Sequence, residues 1–485
     1  MKLDIYPNYT AISGEYDADL IDQYTRFRKS GYRHVASFKS RQWDGYTRLF
    51  SKAKGLFPTG LKDRVLRQYK KEYPEQEVTI TDHRDFKTDK EVPKVEDIPL
   101  DGVTLRAHQV RAGNAMLKKK HGVLWAATNS GKTETAIAVI KALELPTLFL
   151  VKGKDLVTQT YKRFQTRLGD EDIGLIMANQ WDVRKFTVAS ADTLARRLMP
   201  HKIAGNTRSR QQMVKDLLTS VQVVIVDECH TAASKGLWNV VRFCEAPYRY
   251  GLSGTPFKRG DKQDLKLIAL TGEVCCKITN KEMIEDGVSV PTAIKFIDIK
   301  SPDLTHLRDY HQAYDLGIVN NADRNRIICE LAEQHYMNGK CVLIIVKKID
   351  HGHRLDHLLY EFRDRAFVPH YFIHGDTPLD ERTERIEGFS NGITRVLITS
   401  SILDQGIDIP NIDVLIFAAG GNSYIRAIQR VGRGLRMHEG KDKLTVIDFC
   451  DGINKYLAKH SLDRIESYKN ENCFDIEIIN DLSTP

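Results

Sequence analysis

Apolar runs of strand length recur along most of the chain, separated by segments whose apolar positions return every three or four residues. Between residues 104 and 291 the runs are 123–126, 147–151, 186–189, 221–226 and 249–252, each ending just before a polar or Gly-rich element. Continuous apolar strands alternating with amphipathic helices predict a parallel sheet covered on both faces. The alternation returns after residue 320, with runs at 341–346, 368–373, 395–398, 414–417 and 444–447. The chain therefore reads as an α/β protein of two doubly wound parallel-sheet lobes, residues 104–291 and 320–485, with an interlobe connection over 292–319.

The first 83 residues follow a different pattern, that of a small α+β accessory domain. Residues 10–33 have helical character and 46–50 suit a short strand. Residues 61–73 predict a basic helix with Leu61, Val65, Leu66 and Tyr69 on one face. Residues 84–103 are rich in Lys, Asp, Glu and Pro without an apolar period, which predicts a linker.

Composition changes this picture in two places. With 41% hydrophobic and 28% charged residues, a chain of 485 can bury ordinary cores, which excludes a disordered protein. Neither an apolar run of about 18 residues nor an apolar signal core at Met1-Lys2-Leu3-Asp4-Ile5 is present, so a cytoplasmic protein without a membrane span is expected. The eight cysteines form no C-x-x-C pair, which argues against a zinc ribbon, an iron–sulfur cluster or a disulfide framework. The net charge of +8 is unevenly placed: residues 26–71 hold seven Arg and seven Lys against Asp44 and Asp63, a local +12. Phe27, Tyr32, Phe38, Trp43, Tyr46, Phe50, Phe57 and Tyr69 are interleaved with these cations. Cations neutralise phosphates and aromatic rings stack on bases, so the segment reads as a nucleic-acid-binding module with some of its rings in the core. Arg41 and Trp43 are its leading candidates, and Trp43 suits a base-stacking side chain and a core tryptophan equally.

The candidate chemistry lies at the strand ends. Ala126-Ala127-Thr128-Asn129-Ser130-Gly131-Lys132-Thr133 joins a predicted strand to a predicted helix. Such a loop wraps phosphates with the backbone N–H groups of Thr128, Asn129, Ser130 and Gly131 at a helix N-terminus. Lys132 then reaches the β and γ phosphates of ATP, and Thr133 ligates Mg²⁺. Ala126 stands where the first Gly of this pattern is usual, and Asn129 is a second departure. Asp227-Glu228-Cys229-His230 follows the run 221–226, which places carboxylates at the C-terminal edge of a sheet, where ligands bind in open α/β folds. Asp227 would hold Mg²⁺ partly through water, and Glu228 would serve as general base toward the attacking water. His230 could couple the γ phosphate to Ser253-Gly254-Thr255. In the second lobe, Gln429-Arg430-Val431-Gly432-Arg433-Gly434-Leu435-Arg436 puts Gln429, Arg433 and Arg436 on one helical face. Arginine binds phosphate bidentately and stays charged, and a finger of this kind is worth about 10³–10⁵ in rate.

Phosphate loop, acidic pair and arginine pair, in this order over residues 105–450, resemble the superfamily 2 DExH-box helicases. The finer resemblance is to the tailed-phage UvsW-type branch-migration helicases, carried by three stretches. These are Arg41-Gln42-Trp43-Asp44-Gly45 with Leu56-Phe57-Pro58-Thr59-Gly60-Leu61, the bridge from Gly272-Glu273-Val274 to Met283-Ile284-Glu285-Asp286-Gly287, and the tail from Val446-Ile447-Asp448-Phe449 to Arg464-Ile465-Glu466-Ser467-Tyr468. The resemblance implies two RecA-like lobes and an ATP- and Mg²⁺-dependent DNA helicase of 3′-to-5′ polarity. Such an enzyme would act as a monomer on forks and four-way junctions in recombination, replication or repair, in the cytoplasm of the host if phage-encoded. It also implies that Gln109, in Leu105-Arg106-Ala107-His108-Gln109, reads adenine. Gly406 and Asp408 would face the ribose and the finger, and Thr399 the tracked backbone. Lys152, Gln159, Ser190, Thr193 and His374 would bind phosphates without reading sequence.

A DExH RNA helicase and an ATP-gated junction-binding or annealing factor without net unwinding remain alternatives. If the 26–71 segment contacts phosphates, duplex affinity should fall linearly with salt on logarithmic axes, with a slope near −0.9 for each phosphate neutralised. A salt-independent affinity in a titration would remove the segment from the interface.

Overall fold

The computed structural model describes residues 1–28, 31–87, 91–169, 171–199, 207–232, 234–257, 263–361, 368–400, 411–421 and 441–479. It divides into two compact units, residues 1–278 and 279–485. Among the described residues no helix is long and apolar enough to cross a membrane.

The first unit begins with β1 (Lys2–Ile5), β2 (Tyr9–Ser13), β3 (Arg26–Arg28), β4 (Tyr46–Arg48), β5 (Leu56–Pro58) and β6 (Thr79–Asp82). Four of these form a sheet in the order β5-β2-β1-β6, while β3 and β4 pair antiparallel as a separate ribbon. Residues 10–33, expected to be helical, hold β2, a helix only over Ala18–Thr25, and β3. Asp17 sets the start of that helix by accepting from the N–H groups of Asp19 and Leu20, which shortens it to about two turns. The basic helix forms over Lys62–Glu72 and buries Val65 and Tyr69, as its periodicity predicts.

The larger sheet of this unit contains β7 (His121–Ala126), β8 (Thr147–Val151), β9 (Ile173–Met177), β10 (Gln180–Trp181), β11 (Phe186–Ser190), β12 (Val223–Val226), β13 (Tyr248–Ser253) and β14 (Val274–Ile278). Their order is β10-β9-β11-β8-β12-β13-β7-β14, parallel except for β10 at one edge. Leu148, Leu150, Val224 and Val226 pack into one core layer, and their fully buried neighbours Phe149, Val223 and Ile225 point to the other side. That double burial is why these strands carry no polar alternation.

The small sheet and the large one are not separable. The 3₁₀ turn Thr59–Leu61 lies against the helix Asp264–Thr271, and a Cβ at Gly60 would sit 2.1 Å from the Ile268 carbonyl oxygen and 2.7 Å from that of Ala269. Ala269 belongs to the core of the small sheet, with Trp238, Leu265 and Ile268 packed against it. Arg67 grips Glu273 through two hydrogen bonds of 2.6 and 2.9 Å. His121 Nε2 lies 3.1 Å from Asp63, and this contact with that of Lys62 holds the Asp63 carboxyl well below the usual range. Residues 1–83 therefore cover apolar surface of the first lobe, and are packed against it over more than the chain connection. The linker region also packs: Val95 is fully buried, with its side chain against Gly113 of the helix Ala107–Lys119.

In the second unit, β15 (Thr292–Ile299), β16 (Val342–Ile345), β17 (His370–Ile373), β18 (Val396–Thr399), β19 (Val414–Ile416), β20 (Leu444–Asp451) and β21 (Phe474–Ile479) form one parallel sheet. Its order is β17-β18-β16-β19-β20-β15-β21. Ile297, Val342, Ile344, Val396 and Ile398 enter one core layer, and Ile294, Phe296, Leu343, Ile345 and Leu397 the other. The stretch 292–319, expected as a connection, contributes β15 between β20 and β21. Its alternation of Ile and Phe with Lys and Asp looks like a surface strand, but both neighbours are supplied by the distant C-terminal residues.

Gly60→Val should force the turn Thr59–Leu61 off the helix Asp264–Thr271 and destabilise the first unit by about 1–3 kcal/mol, the usual range for overpacking. A thermal unfolding curve unchanged from wild type would show that the two parts are not docked as described.

Candidate functional site

The loop 127–131 leaves β7 and enters the helix Lys132–Leu143. It turns by placing Asn129 at φ 71° and Gly131 at φ 72°. Asn tolerates this left-handed region far better than β-branched residues do, so Asn129 keeps the conformation open to Gly there. Ser130 Oγ donates to the Ala127 carbonyl at 2.7 Å, and Lys132 Nζ lies 3.4 Å from the Ala126 carbonyl, over the loop. The first N–H groups of the helix lack intrahelical acceptors and form a cluster of donors suited to an anion.

Two side chains missed as loop supports come from the helix Ala107–Lys119. Gln109 accepts from the Arg106 N–H at 2.8 Å and donates to the Gly131 carbonyl at 3.3 Å, while His108 Nε2 lies 3.2 Å from the Ser130 carbonyl. Gln109 is buried at 4% exposure, so it couples this helix to the phosphate loop whatever else it touches. The adjacency of His108 and Gln109 was the available signal, but sequence spacing gives no distance to the loop.

Asp227 and Glu228 follow β12, and Ser253-Gly254-Thr255 ends β13, the strand between β12 and β7. Three pieces far apart in sequence are thereby set side by side at one sheet edge. Burial, and then the charge of Glu228, push the Asp227 carboxyl up to about 6, against the opposing pull of Lys132. Glu228 adopts φ 44°, a conformation uncommon outside Gly and Asn. His230 Nδ1 lies 3.1 Å from Glu228 Oε2 and 3.1 Å from Ser253 Oγ, which in turn accepts from the Thr255 N–H at 3.2 Å. A continuous polar chain thus runs from Glu228 to Thr255. Trp125 Nε1 donates to the Gly254 carbonyl at 3.0 Å and ties β7 to the same loop, with Lys277 over its ring. Trp125 lies in an apolar run and gave no functional signal.

These groups suit a nucleoside triphosphate with Mg²⁺. Among the described residues no cluster of three His, Cys, Asp or Glu side chains forms a metal cage. Mg²⁺ needs none, since it takes one or two protein oxygens with substrate phosphates and water.

The remaining site residues fall into three groups. Lys152, just after β8, and Gln159, on the helix Lys154–Leu168, are exposed, and Arg41 is exposed with Trp43 half-buried beside it. His374 follows β17, its ring against Phe372 at 4.9 Å and His353 at 5.4 Å. Ser190, Thr193 and Thr399 are buried, and their hydroxyls are bonded within the chain. Ser190 Oγ caps the helix Ala191–Leu198 at the Thr193 N–H, Thr193 Oγ1 accepts from the Ala178 N–H, and Thr399 Oγ1 donates to the Ser400 carbonyl. Hydroxyls at strand ends satisfy the chain's own turns first. Gly406, Asp408, Gln429, Arg433 and Arg436 lie outside the described residues.

The tail residues that carried the resemblance have a structural place. Arg464, on the helix Lys455–Lys469, meets both oxygens of Asp448 at 2.9 Å and donates to the Gly421 carbonyl at 2.5 Å. Arg324 meets Asp451 at 2.9 Å and donates to the Ala418 carbonyl at 2.9 Å. All four charged side chains are fully or almost fully buried.

Comparisons with known proteins agree with this geometry. The family described as type III restriction enzyme, res subunit, matches residues 102–258, and the helicase conserved C-terminal domain matches residues 323–438. The ATP-dependent DNA helicase uvsW of Enterobacteria phage T4 is 24% identical over 477 residues, covering 92% of each chain. The DNA 3'-5' translocase XPB2 of Sulfurisphaera tokodaii is 26% identical over 404 residues, covering 75% of this chain and 84% of the relative. The fold is shared with a fragment of a putative HsdR subunit of a type I restriction enzyme from Vibrio vulnificus (TM-score 0.57, 17% identity, 90% and 76% covered). It is also shared with S. cerevisiae Dbp5 bound to RNA and ADP BeF3 (TM-score 0.52, 19% identity, 78% and 90% covered).

The raised pKa of Asp227 predicts a pH signature in metal-free protein. Unfolded aspartate ionises near pH 4 while the folded carboxyl holds its proton to about pH 6, so its contribution is present below pH 4 and lost as pH rises through 6. Asp227→Asn should therefore stabilise the metal-free protein at pH 7.5, by up to about 3 kcal/mol, with little gain near pH 4.5. Denaturation at the two pH values checks this, and an equal gain at both would refute it.

Proposed function

We propose, for a chain that belongs to the superfamily 2 helicases, that ATP hydrolysis at the first-unit site drives 3′-to-5′ movement on DNA and remodels forks and four-way junctions. The observation that carries the reading is the alignment of the phosphate loop, Asp227-Glu228 and Ser253-Gly254-Thr255 at neighbouring strand ends. DNA is favoured over RNA because the names of the phage T4 and Sulfurisphaera tokodaii relatives, of which 92% and 84% are covered, specify DNA.

In this reading the N–H groups of the loop and helix start hold the triphosphate, and Lys132 lies over the β and γ phosphates. Thr133 and Asp227 would hold Mg²⁺, partly through water, and its chemistry there would be compensation of phosphate charge. Glu228 orients the attacking water and takes its proton. The contact of His230 with both Glu228 and Ser253 supports a link from the hydrolytic base to the loop after β13. That loop would report the nucleotide state to the rest of the first unit. Gln429, Arg433 and Arg436 are assigned transition-state charge stabilisation from their sequence pattern, and Gly406 and Asp408 the nucleotide contact beside them. Gln109 is assigned the adenine edge together with its support of the loop. Lys152, Gln159 and His374 are assigned to the nucleic-acid backbone.

Glu228→Gln should lower the hydrolysis rate about 10²–10⁴-fold, the usual contribution of a general base, while fluorescent ATP analogues still bind. Lys132→Ala should abolish unwinding in a strand-displacement panel of forks, four-way junctions and duplexes with 3′ or 5′ tails. Unwinding by Lys132→Ala would overturn the site, and stronger ATPase stimulation by RNA than by DNA of equal length would overturn the substrate.

A further inference from the structure

Between β3 and β4 the chain leaves the ribbon, and residues within 33–44 of this excursion, with Arg48 of β4, wall an open cavity of about 750 Å³. That volume lies within the range of about 300–1,000 Å³ typical of small-ligand sites. The ribbon beneath it is firmly held. Asp22, 2% exposed, meets Arg26 at 3.1 Å on one strand and Arg48 at 3.2 Å on the other, and these two arginines are register partners. Arg26 and Arg28 both stack on the Tyr46 ring at 4.4 Å.

The walls carry two kinds of chemistry. Trp43 is half-buried, and its Nε1 donates to the Tyr46 carbonyl at 2.7 Å. That bond satisfies its one polar atom and fixes the indole, so what the ring offers the cavity is an apolar aromatic surface. Phe38 stands edge-on to Tyr32 in the same wall. The cations are Arg33, Lys39, Arg41 and Arg48, of which Arg48 is paired with Asp44. Arg33, Lys39 and Arg41 meet no carboxylate among the described residues. Arg41 is held at φ 58°, a backbone state that non-glycine residues occupy rarely and that clusters at binding sites.

A ring surface beside uncompensated cations fits a ligand that is flat and apolar at one end and anionic at the other. Continuous duplex DNA offers the phosphates, but the faces of its bases are stacked inside it. An unpaired nucleotide exposes both. We propose that this cavity seats a single unpaired nucleotide of branched DNA, its base against Trp43 and its phosphate on Lys39 and Arg41. The inference rests on DNA being the substrate and names the feature of that DNA which the accessory domain selects. It gives a chain with a sequence-blind motor a way to favour a discontinuity over continuous duplex.

The test is equilibrium binding without nucleotide. It compares a duplex carrying one unpaired 2-aminopurine, as a bulge or a flap, with the same duplex fully paired. Wild type should prefer the unpaired form and change the 2-aminopurine emission on binding. Trp43→Ala should reduce that preference by about 5- to 150-fold, the range seen when a stacking ring is removed, and Trp43→Phe should retain most of it. Lys39→Ala and Arg41→Ala should each lower the salt slope on the unpaired form. Trp43→Ala weakening paired and unpaired DNA equally, with a wild-type unfolding curve, would show a general contact and overturn the proposal. So would salt slopes unchanged in both cation variants. Because no ATP is present, failure of wild type to unwind DNA would leave this readout intact. Lost preference with unwinding intact would sink the cavity alone.

Discussion

A parallel strand covered on both faces has no place along its length for a polar side chain, so polar chemistry emerges where strands end. Three parts of the candidate ATP site obey this constraint. The phosphate loop follows β7, Ser253-Gly254-Thr255 ends β13, and Asp227-Glu228 follows β12, three neighbouring strands of one sheet. The apolar runs are therefore more than filling, because their lengths decide which residues reach the edge. One residue more or less in β12 would move both carboxylates by a strand repeat of about 3.3 Å, enough to break the contact of Glu228 with His230.

The same economy of position applies to the accessory domain. It sits on the first lobe through backbone contact at Gly60, a two-point Arg67–Glu273 pair and the Asp63–His121 contact, and it shares an apolar core with the helix Asp264–Thr271. A domain joined only by a flexible linker would search for DNA independently of the motor. One joined by shared core must move with the first lobe, so a branch gripped near Trp43 would feel each movement of that lobe directly.

In the second unit the buried pairs Arg464–Asp448 and Arg324–Asp451 take charge out of water, which is expensive unless every donor and acceptor is well placed. Their further bonds go to the carbonyls of Gly421 and Ala418, and Tyr314 donates to the carbonyl of Ala419 at 2.6 Å. Three polar side chains thus fix the backbone just after β19. A hydrophobic core of equal volume could fill the space but could not hold carbonyls at defined positions, which gives a reason for burying four charges here.

Much of this was legible in the sequence. Apolar runs at 147–151, 186–189 and 414–417 became strands almost residue for residue, because a buried strand is a local pattern. The placing of Lys132 and Thr133 at a helix start and of Asp227 and Glu228 just after a strand was legible because the motifs sit at fixed offsets from apolar runs. The strand β15 and the depth of Ser190, Thr193 and Thr399 were not, since each depends on partners distant in sequence. The same holds for the tie of Gln109 and His108 to the loop and for the fusion of residues 1–83 with the first lobe through Gly60. Periodicity and motif spacing record what a residue does with its near neighbours. The tertiary structure alone decided which distant surfaces each side chain meets, because packing is set by the order and register of strands brought together from the whole chain.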